Sequence, residues 1–179
     1  MTMTEQQTTT QVYRVYIKAT PQQIWDAITQ PEWTERFGYG GRADYDLRPG
    51  GPFVHYTSDD MKKAGLERGY TVPDVGVDGE VLEVDPPRRL VQTWRMCMDD
   101  NMKAEGFTKL TYEIDEVATG GTRLTIVHEL ANAPGLSLVL SGSQEEFGAG
   151  GGWPWVLSSL KSLLETGSGL SGESTDRPS

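Results

Sequence analysis

Gly151-Gly152-Trp153-Pro154-Trp155-Val156-Leu157, followed by Leu160, Leu163, Leu164 and Gly167, decides the fold. From Trp153 the apolar positions recur at offsets of three, four, seven, ten and eleven, which is one continuous sticky face of an α-helix. Pro154 suits a first helical turn and Gly167 suits the stop. The spacing predicts a terminal helix over 154–166, roughly 12–14 residues and about 20 Å long. Most of the regular pattern before it has the two-residue period of strands. One long helix therefore has a large β-sheet to cover, and a sheet curved round a single helix can leave a cavity.

Working outward, residues 12–19 alternate Tyr13, Val15, Ile17 and Ala19 against Arg14, Tyr16 and Lys18, a strand with one wetter face. Thr20-Pro21-Gln22-Gln23 is a capping box that opens a helix with Ile24, Trp25, Ala27 and Ile28 on its buried side. Pro31 ends it, and Trp33 and Phe37 sit four apart on a second short helix. Residues 43–48 and 53–57 form a hairpin about Pro49-Gly50-Gly51-Pro52. Residues 58–74 are polar and irregular, an excursion with a short helix near 61–66. Strands at 79–85, 90–98, 107–117 and 122–130 follow as an antiparallel meander, separated by turns at 85–88, 99–101 and 119–121. Residues 131–152 read as a long Gly-rich loop. The order is that of an α+β fold with about seven antiparallel strands. Residues 1–11 and 168–179 are polar and read as disordered tails flanking one domain over 12–167.

The chain has 179 residues, 36% hydrophobic and 23% charged, with a formal net charge of −10. Such a surface repels phosphate backbones and anionic lipid, which argues against nucleic-acid and membrane partners. One cysteine, Cys97, excludes an internal disulfide and fits a reducing, cytoplasmic setting. Two histidines far apart in sequence and an unpartnered cysteine do not make a metal site, and nothing points to a cofactor. Asp59-Asp60 and Asp99-Asp100 read as solvated turn residues, since the alternating oxygen ligands of a calcium loop are missing. No Gly-x-Ser-x-Gly elbow is present, and Gly148-Ala149-Gly150-Gly151-Gly152 lacks the Lys-Ser/Thr of a P-loop.

Several segments carry a resemblance. They are Thr20-Pro21 through Trp25, Asp46-Leu47-Arg48-Pro49-Gly50-Gly51, the run from Gly79 through Asp85-Pro86-Pro87-Arg88-Arg89 to Leu90, His128-Glu129, and Gly152-Trp153 leading to Leu163-Leu164-Glu165-Thr166-Gly167. In that order and at that spacing the chain resembles the START/SRPBCC superfamily. Its helix-grip fold is shared with birch-pollen allergens and polyketide cyclases. It is most similar to the AHSA-like branch, homologous to the activator of heat-shock-protein-90 ATPase. The resemblance implies a curved antiparallel sheet around the C-terminal helix, with two short helices after the first strand. Superfamily members bind lipids, carry or cyclise hydrophobic molecules, or assist a chaperone. The 58–74 segment looks longer than that pattern.

The expected function is non-enzymatic binding of a small hydrophobic molecule between sheet and helix. The wall is drawn from Trp25, Phe53, Trp94, Met96, Met98, Phe107, Tyr112, His128, Leu130, Trp153 and Leu157. Residues 58–74 and 131–152 would gate entry. Any of these side chains could equally be plain core. His128, among leucines, is either a ligand contact or a core histidine satisfied by Tyr112 or a backbone group, and desolvation should lower its pKa. His55, near a hairpin end, reads as exposed. Two alternatives stand beside binding. One is a chaperone-regulating surface, with a chaperone or a second copy as partner. The other is a cyclase or aromatase-like enzyme using His128, Tyr112 and Arg95.

Overall fold

The computed structural model describes residues 10–147 and 150–170. Seven strands form one antiparallel sheet: β1 (Thr10–Ile17), β2 (Ala43–Tyr45), β3 (Pro52–Tyr56), β4 (Val75–Asp85), β5 (Arg89–Met96), β6 (Thr108–Glu116) and β7 (Thr122–Glu129), in the order β1-β7-β6-β5-β4-β3-β2. The helices are α1 (Pro21–Thr29), α2 (Pro31–Thr34), α3 (Asp59–Glu67), α4 (Asp100–Ala104), α5 (Pro134–Leu140) and α6 (Gly152–Thr166). This is the expected α+β helix-grip fold. The two expected tails fall mostly on residues 1–9 and 171–179, which lie outside the described residues. Among the described residues no helix is long and apolar enough to cross a membrane.

Local chemistry accounts for most of the elements. The Thr20 hydroxyl accepts from the Gln23 N–H at 3.1 Å, and Gln23 Oε1 accepts from the Thr20 N–H at 2.8 Å, closing the capping box of α1. The hairpin turn needs Gly51, because a Cβ there would run into the Asp46 carbonyl. Gly167 ends α6 in the left-handed region at φ 87°, its N–H bonded to the Leu163 carbonyl.

The structure corrects three sequence expectations. β4 begins at Val75 rather than 79. Its early part pairs with β3, and Asp78, a poor strand former, is matched by Arg95 across β5 at 2.6 Å. Asp99-Asp100-Asn101 opens a helix rather than only turning: the Asp99 carboxylate accepts from the Asn101 and Met102 N–H groups. The supposed loop 131–152 holds α5 and a 3-10 turn, Glu145–Phe147. The residue before α5, Ala133, has no side chain that can cap. The cap comes from Glu105, about thirty positions upstream, whose carboxylate accepts from the N–H groups of Gly135 (2.8 Å) and Leu136 (3.1 Å). A cap supplied from so far away leaves no local signature.

The core explains where the fold is full and where it is not. α6 buries Trp153, Leu157, Leu160 and Leu163 and packs on β1, α1 and α5. α1 lies against β6 and β2. The later turns of the long helix therefore lie toward the β1 edge of the sheet, while Trp153 at its start reaches His128 of β7 and Trp94 of β5.

Replacing Glu105 by Ala should cost about 1 kcal/mol of stability, the usual worth of a lost cap. Amide exchange at Gly135 and Leu136 should accelerate selectively. Unchanged exchange at those two amides would refute the capping role.

Candidate functional site

The concave face left free by α6 encloses a cavity of about 410 Å³. Phe53 and His55 of β3, Val77 of β4, Trp94 and Met96 of β5 and Tyr112 of β6 form its sheet side. Trp153, Val156, Leu157 and Leu160 form its helix side, and Met61, Ala64, Arg68 and Tyr70 close it from α3 and the segment after it. The mouth is marked by lining residues that are also exposed: Tyr39, Tyr56, Tyr70 and Met98.

Of the eleven side chains expected to form the wall, Phe53, Trp94, Met96, Met98, Tyr112, Trp153 and Leu157 line it. Four do not. Trp25 is packed in the core, and the α1 side chain that reaches the cavity is Ile28, one turn later. Leu130 is fully buried just past β7, where its carbonyl accepts from Ala133 at the start of α5. Phe107 is 48% exposed on the outer face, beneath the Arg95 guanidinium at 4.4 Å. Strand alternation explains it: Thr108, Leu110 and Tyr112 point inward, so Phe107 points out.

His128 is the fourth, and its environment is fully specified. The Trp153 indole N–H donates to Nδ1 at 3.1 Å, and Nε2 lies 2.7 Å from Thr108 Oγ1. An indole N–H can only donate, so Nδ1 must accept and the ring proton sits on Nε2. Nε2–H then donates to Thr108, whose hydroxyl donates to the Trp94 carbonyl at 2.8 Å. Both nitrogens are used, the ring is fully buried, and Trp94 meets it edge-on at 5.3 Å. It is a satisfied core histidine, with Trp153 and Thr108 as partners in place of Tyr112 or a backbone group. Burial holds its pKa down to about 3. Nor does the structure bring His128, Tyr112 and Arg95 together as a reacting set. Arg95 alternates to the outer face and pairs with Asp78.

The polar groups that do reach the cavity are few. The Tyr45 hydroxyl donates to Gln92 Oε1 at 2.7 Å and is hydrogen-bonded to Tyr112, and burial raises both phenols well above their ordinary range. His55 shares the inward face of Phe53. It is half-buried rather than exposed, and burial lowers its pKa against a hydrogen bond to the Gly41 backbone. Tyr39 stacks on Trp155 at 5.0 Å, and its hydroxyl takes hydrogen bonds from Gly151 and Gly152 at the uncapped start of α6. Gly152 is obligatory there, since a Cβ would meet the Leu140 carbonyl at φ 67°. The strand period places His55 beside Phe53. No sequence signal places Tyr39, Met61 or Tyr70, because folded-back segments carry them. Cys97 is a half-buried thiol on the outer face, 3.4 Å from Asp78, and burial raises its pKa. Among the described residues no three His, Cys, Asp or Glu side chains are grouped to hold a metal ion.

The profile of one family, described as "Activator of Hsp90 ATPase homolog 1-like protein", matches residues 18–165. Protein MLL2253 from Mesorhizobium loti is similar in structure at 23% identity and a TM-score of 0.59, covering 87% of this chain and 96% of that one. The Aha1 dimer from Colwellia psychrerythraea gives 18% identity and 0.59, over 89% and 98%. DynU16, a putative protein in the dynemicin biosynthetic locus, gives 20% and 0.61, over 90% of this chain and 49% of that one. At these identities the likeness is one of fold. No curated protein matches the sequence.

The buried imidazole sets an acid limit on the fold. Folded His128 titrates at about 3 and its unfolded counterpart near 6.5, so between these values only the unfolded chain takes up the proton. Its contribution is complete above pH 6.5 and drains away as pH falls toward 3. His55 acts with the same sign in both proteins to be compared. The stability gap between wild type and His128→Gln, from urea unfolding, should narrow by roughly 1 kcal/mol per pH unit below about pH 6. A gap that stays constant from pH 7.5 to 4.5 would contradict this assignment.

Proposed function

We propose that this chain, which belongs to the family of Activator of Hsp90 ATPase homolog 1-like proteins, binds a small hydrophobic molecule between its sheet and α6. The observation that carries the reading is the cavity itself. Its volume of about 410 Å³ falls in the range of small-molecule sites, about 300–1,000 Å³. Its wall is mostly aliphatic and aromatic, with a handful of polar tips. Met61, Met96 and Met98 give it side chains that re-pack around irregular contents. The exposed rings of Tyr39, Tyr56 and Tyr70 surround the opening, which puts apolar surface where an entering molecule would first touch.

The polar inventory favours binding over a reaction run by His128. Both nitrogens of that ring are committed to protein partners, and burial keeps it neutral at every physiological pH. Tyr45 and Tyr112 are held as neutral phenols whose hydroxyls are engaged with Gln92 and with each other, so neither is poised to move a ligand's proton. Entry runs past α3, where Tyr70 and Val72 fold back onto Gly65.

N-phenyl-1-naphthylamine should bind the purified protein with a rise in fluorescence. Val156→Trp projects an indole into the space and should abolish most of the rise while the urea midpoint is retained. Losing as little as about 55 Å² of apolar contact is worth about tenfold in affinity. Native mass spectrometry of protein taken directly from cells should show a bound species of fixed mass that Val156→Trp lacks. Equal probe binding by both proteins would place the probe elsewhere and defeat the proposal.

A further inference from the structure

Among the described residues, the side chains that line the cavity include no Asp, Glu or Lys, and one permanently charged group, Arg68. This is unusual company for an arginine in a chain of net charge −10. Arg68 closes α3 as its C-cap, exposed, beside Tyr70 at the mouth. Of the other charges on α3, Lys63 and Glu67 do not line the cavity. Lys62 pairs with Asp74 at 2.8 Å, and Asp59 and Asp60 occupy the opposite end of the helix. Among the described residues the Arg68 guanidinium has no ion pair and no hydrogen bond, although Glu67 is its chain neighbour. A cation at a helix C-terminus does gain from the helix dipole. That gain is equally available to an arginine turned away from the cavity.

We propose that the cavity takes an amphiphile with a single carboxylate, its apolar body against Trp94, Met96 and Leu157 and its head on Arg68 at the mouth. This deepens the binding function proposed above and rests on it. The division of the site supports it: apolar within, one cation at the rim, no carboxylate on the wall to compete. A guanidinium presents a planar fork of donors that fits a carboxylate through two parallel hydrogen bonds. The acidic chain selects on charge number as well. Its overall field opposes a dianion more than a monoanion, which favours a carboxylate over a phosphate ester. With the head outside, the hydrocarbon is desolvated and the charge is not, so no burial cost falls on the ion.

The test is a cycle of two ligands and two proteins, read by isothermal titration calorimetry at pH 7.5. Decanoate and decan-1-ol share a chain and differ in the head. Arg68→Gln should weaken decanoate roughly three- to tenfold, the scale of a partly solvated charge-assisted pair, and shift decan-1-ol by less than about twofold. Arg68→Lys should recover part of the decanoate affinity, and the Arg68→Gln effect should shrink in 0.5 M NaCl. Arg68 is on the surface, so the variant is expected to keep the wild-type urea midpoint. If both ligands bind and Arg68→Gln changes them equally or not at all, the carboxylate assignment is wrong while the cavity function stands. If neither ligand binds wild type and N-phenyl-1-naphthylamine also fails, the binding function falls and takes this inference with it.

Discussion

The fold depends on where α6 is held. Its first turn is locked to the sheet by the Trp153 indole N–H on His128, through Thr108, to the Trp94 carbonyl. Further along, Lys161 donates to the Tyr16 carbonyl, and Glu165 accepts from the Lys18 N–H at 2.8 Å. Buried Ser159 accepts from the N–H groups of Gly38 and Leu170. The Lys161 and Glu165 contacts draw the last half of the helix onto the β1 edge. Apolar collapse alone would pull the helix over the centre of the sheet, because an uncovered apolar hollow forfeits dispersion contact and burial. Directional hydrogen bonds to β7 at the start of the helix and to the β1 edge near its end oppose that slide, since it would strand donors and acceptors without partners. The cavity over β3, β4 and β5 follows from this geometry.

The parts of this arrangement that were legible in the sequence obey a period or a local cap. The offsets from Trp153 fixed the face of α6, and the Thr20–Gln23 box fixed the start of α1. The two-residue period groups Trp94 with Met96 along β5 and Leu110, Tyr112 and Ile114 along β6, and both rows point inward. The same rule excludes Phe107 and includes His55, whose place near a hairpin end had outweighed its sharing a face with Phe53. Elements stabilised by distant partners were not legible. α5 depends on Glu105, and the opening residues of β4 are held by β3 and by the far end of β5, with Asp78 matched by Arg95. The α3 side of the cavity is formed by a polar stretch whose few apolar residues, Met61, Ala64 and Tyr70, converge only when the chain folds back.

Charge is partitioned as sharply as polarity. The sheet's ion pairs Arg95–Asp78, Arg89–Glu113 and Arg123–Asp115 lie on its outer face. The inner face carries instead neutral polar groups that satisfy one another, such as Tyr45 with Gln92 and Tyr112. A buried carboxylate would raise the cost of any apolar content through its own desolvation, and among the described residues the cavity wall has none. The acidic surface can therefore keep the chain dispersed in water without imposing its charge on the interior.

Whether a polar group still has hydrogen-bonding capacity to spare separates structure from function here. His128 draws the eye as a lone histidine among leucines, yet every lone pair and proton on its ring is spoken for, and its removal would be felt first as lost stability. The indole of Trp153 is spent in the same bond, while its ring face remains a wall of the cavity, so one side chain both fixes the helix and shapes the space. A ligand can compete only for groups the fold has left over. Within the hollow these are mainly aromatic and thioether surfaces, which select by shape, with the His55 ring beside them. The recognition of a head group must then fall to the rim, where side chains keep their hydration until something replaces it.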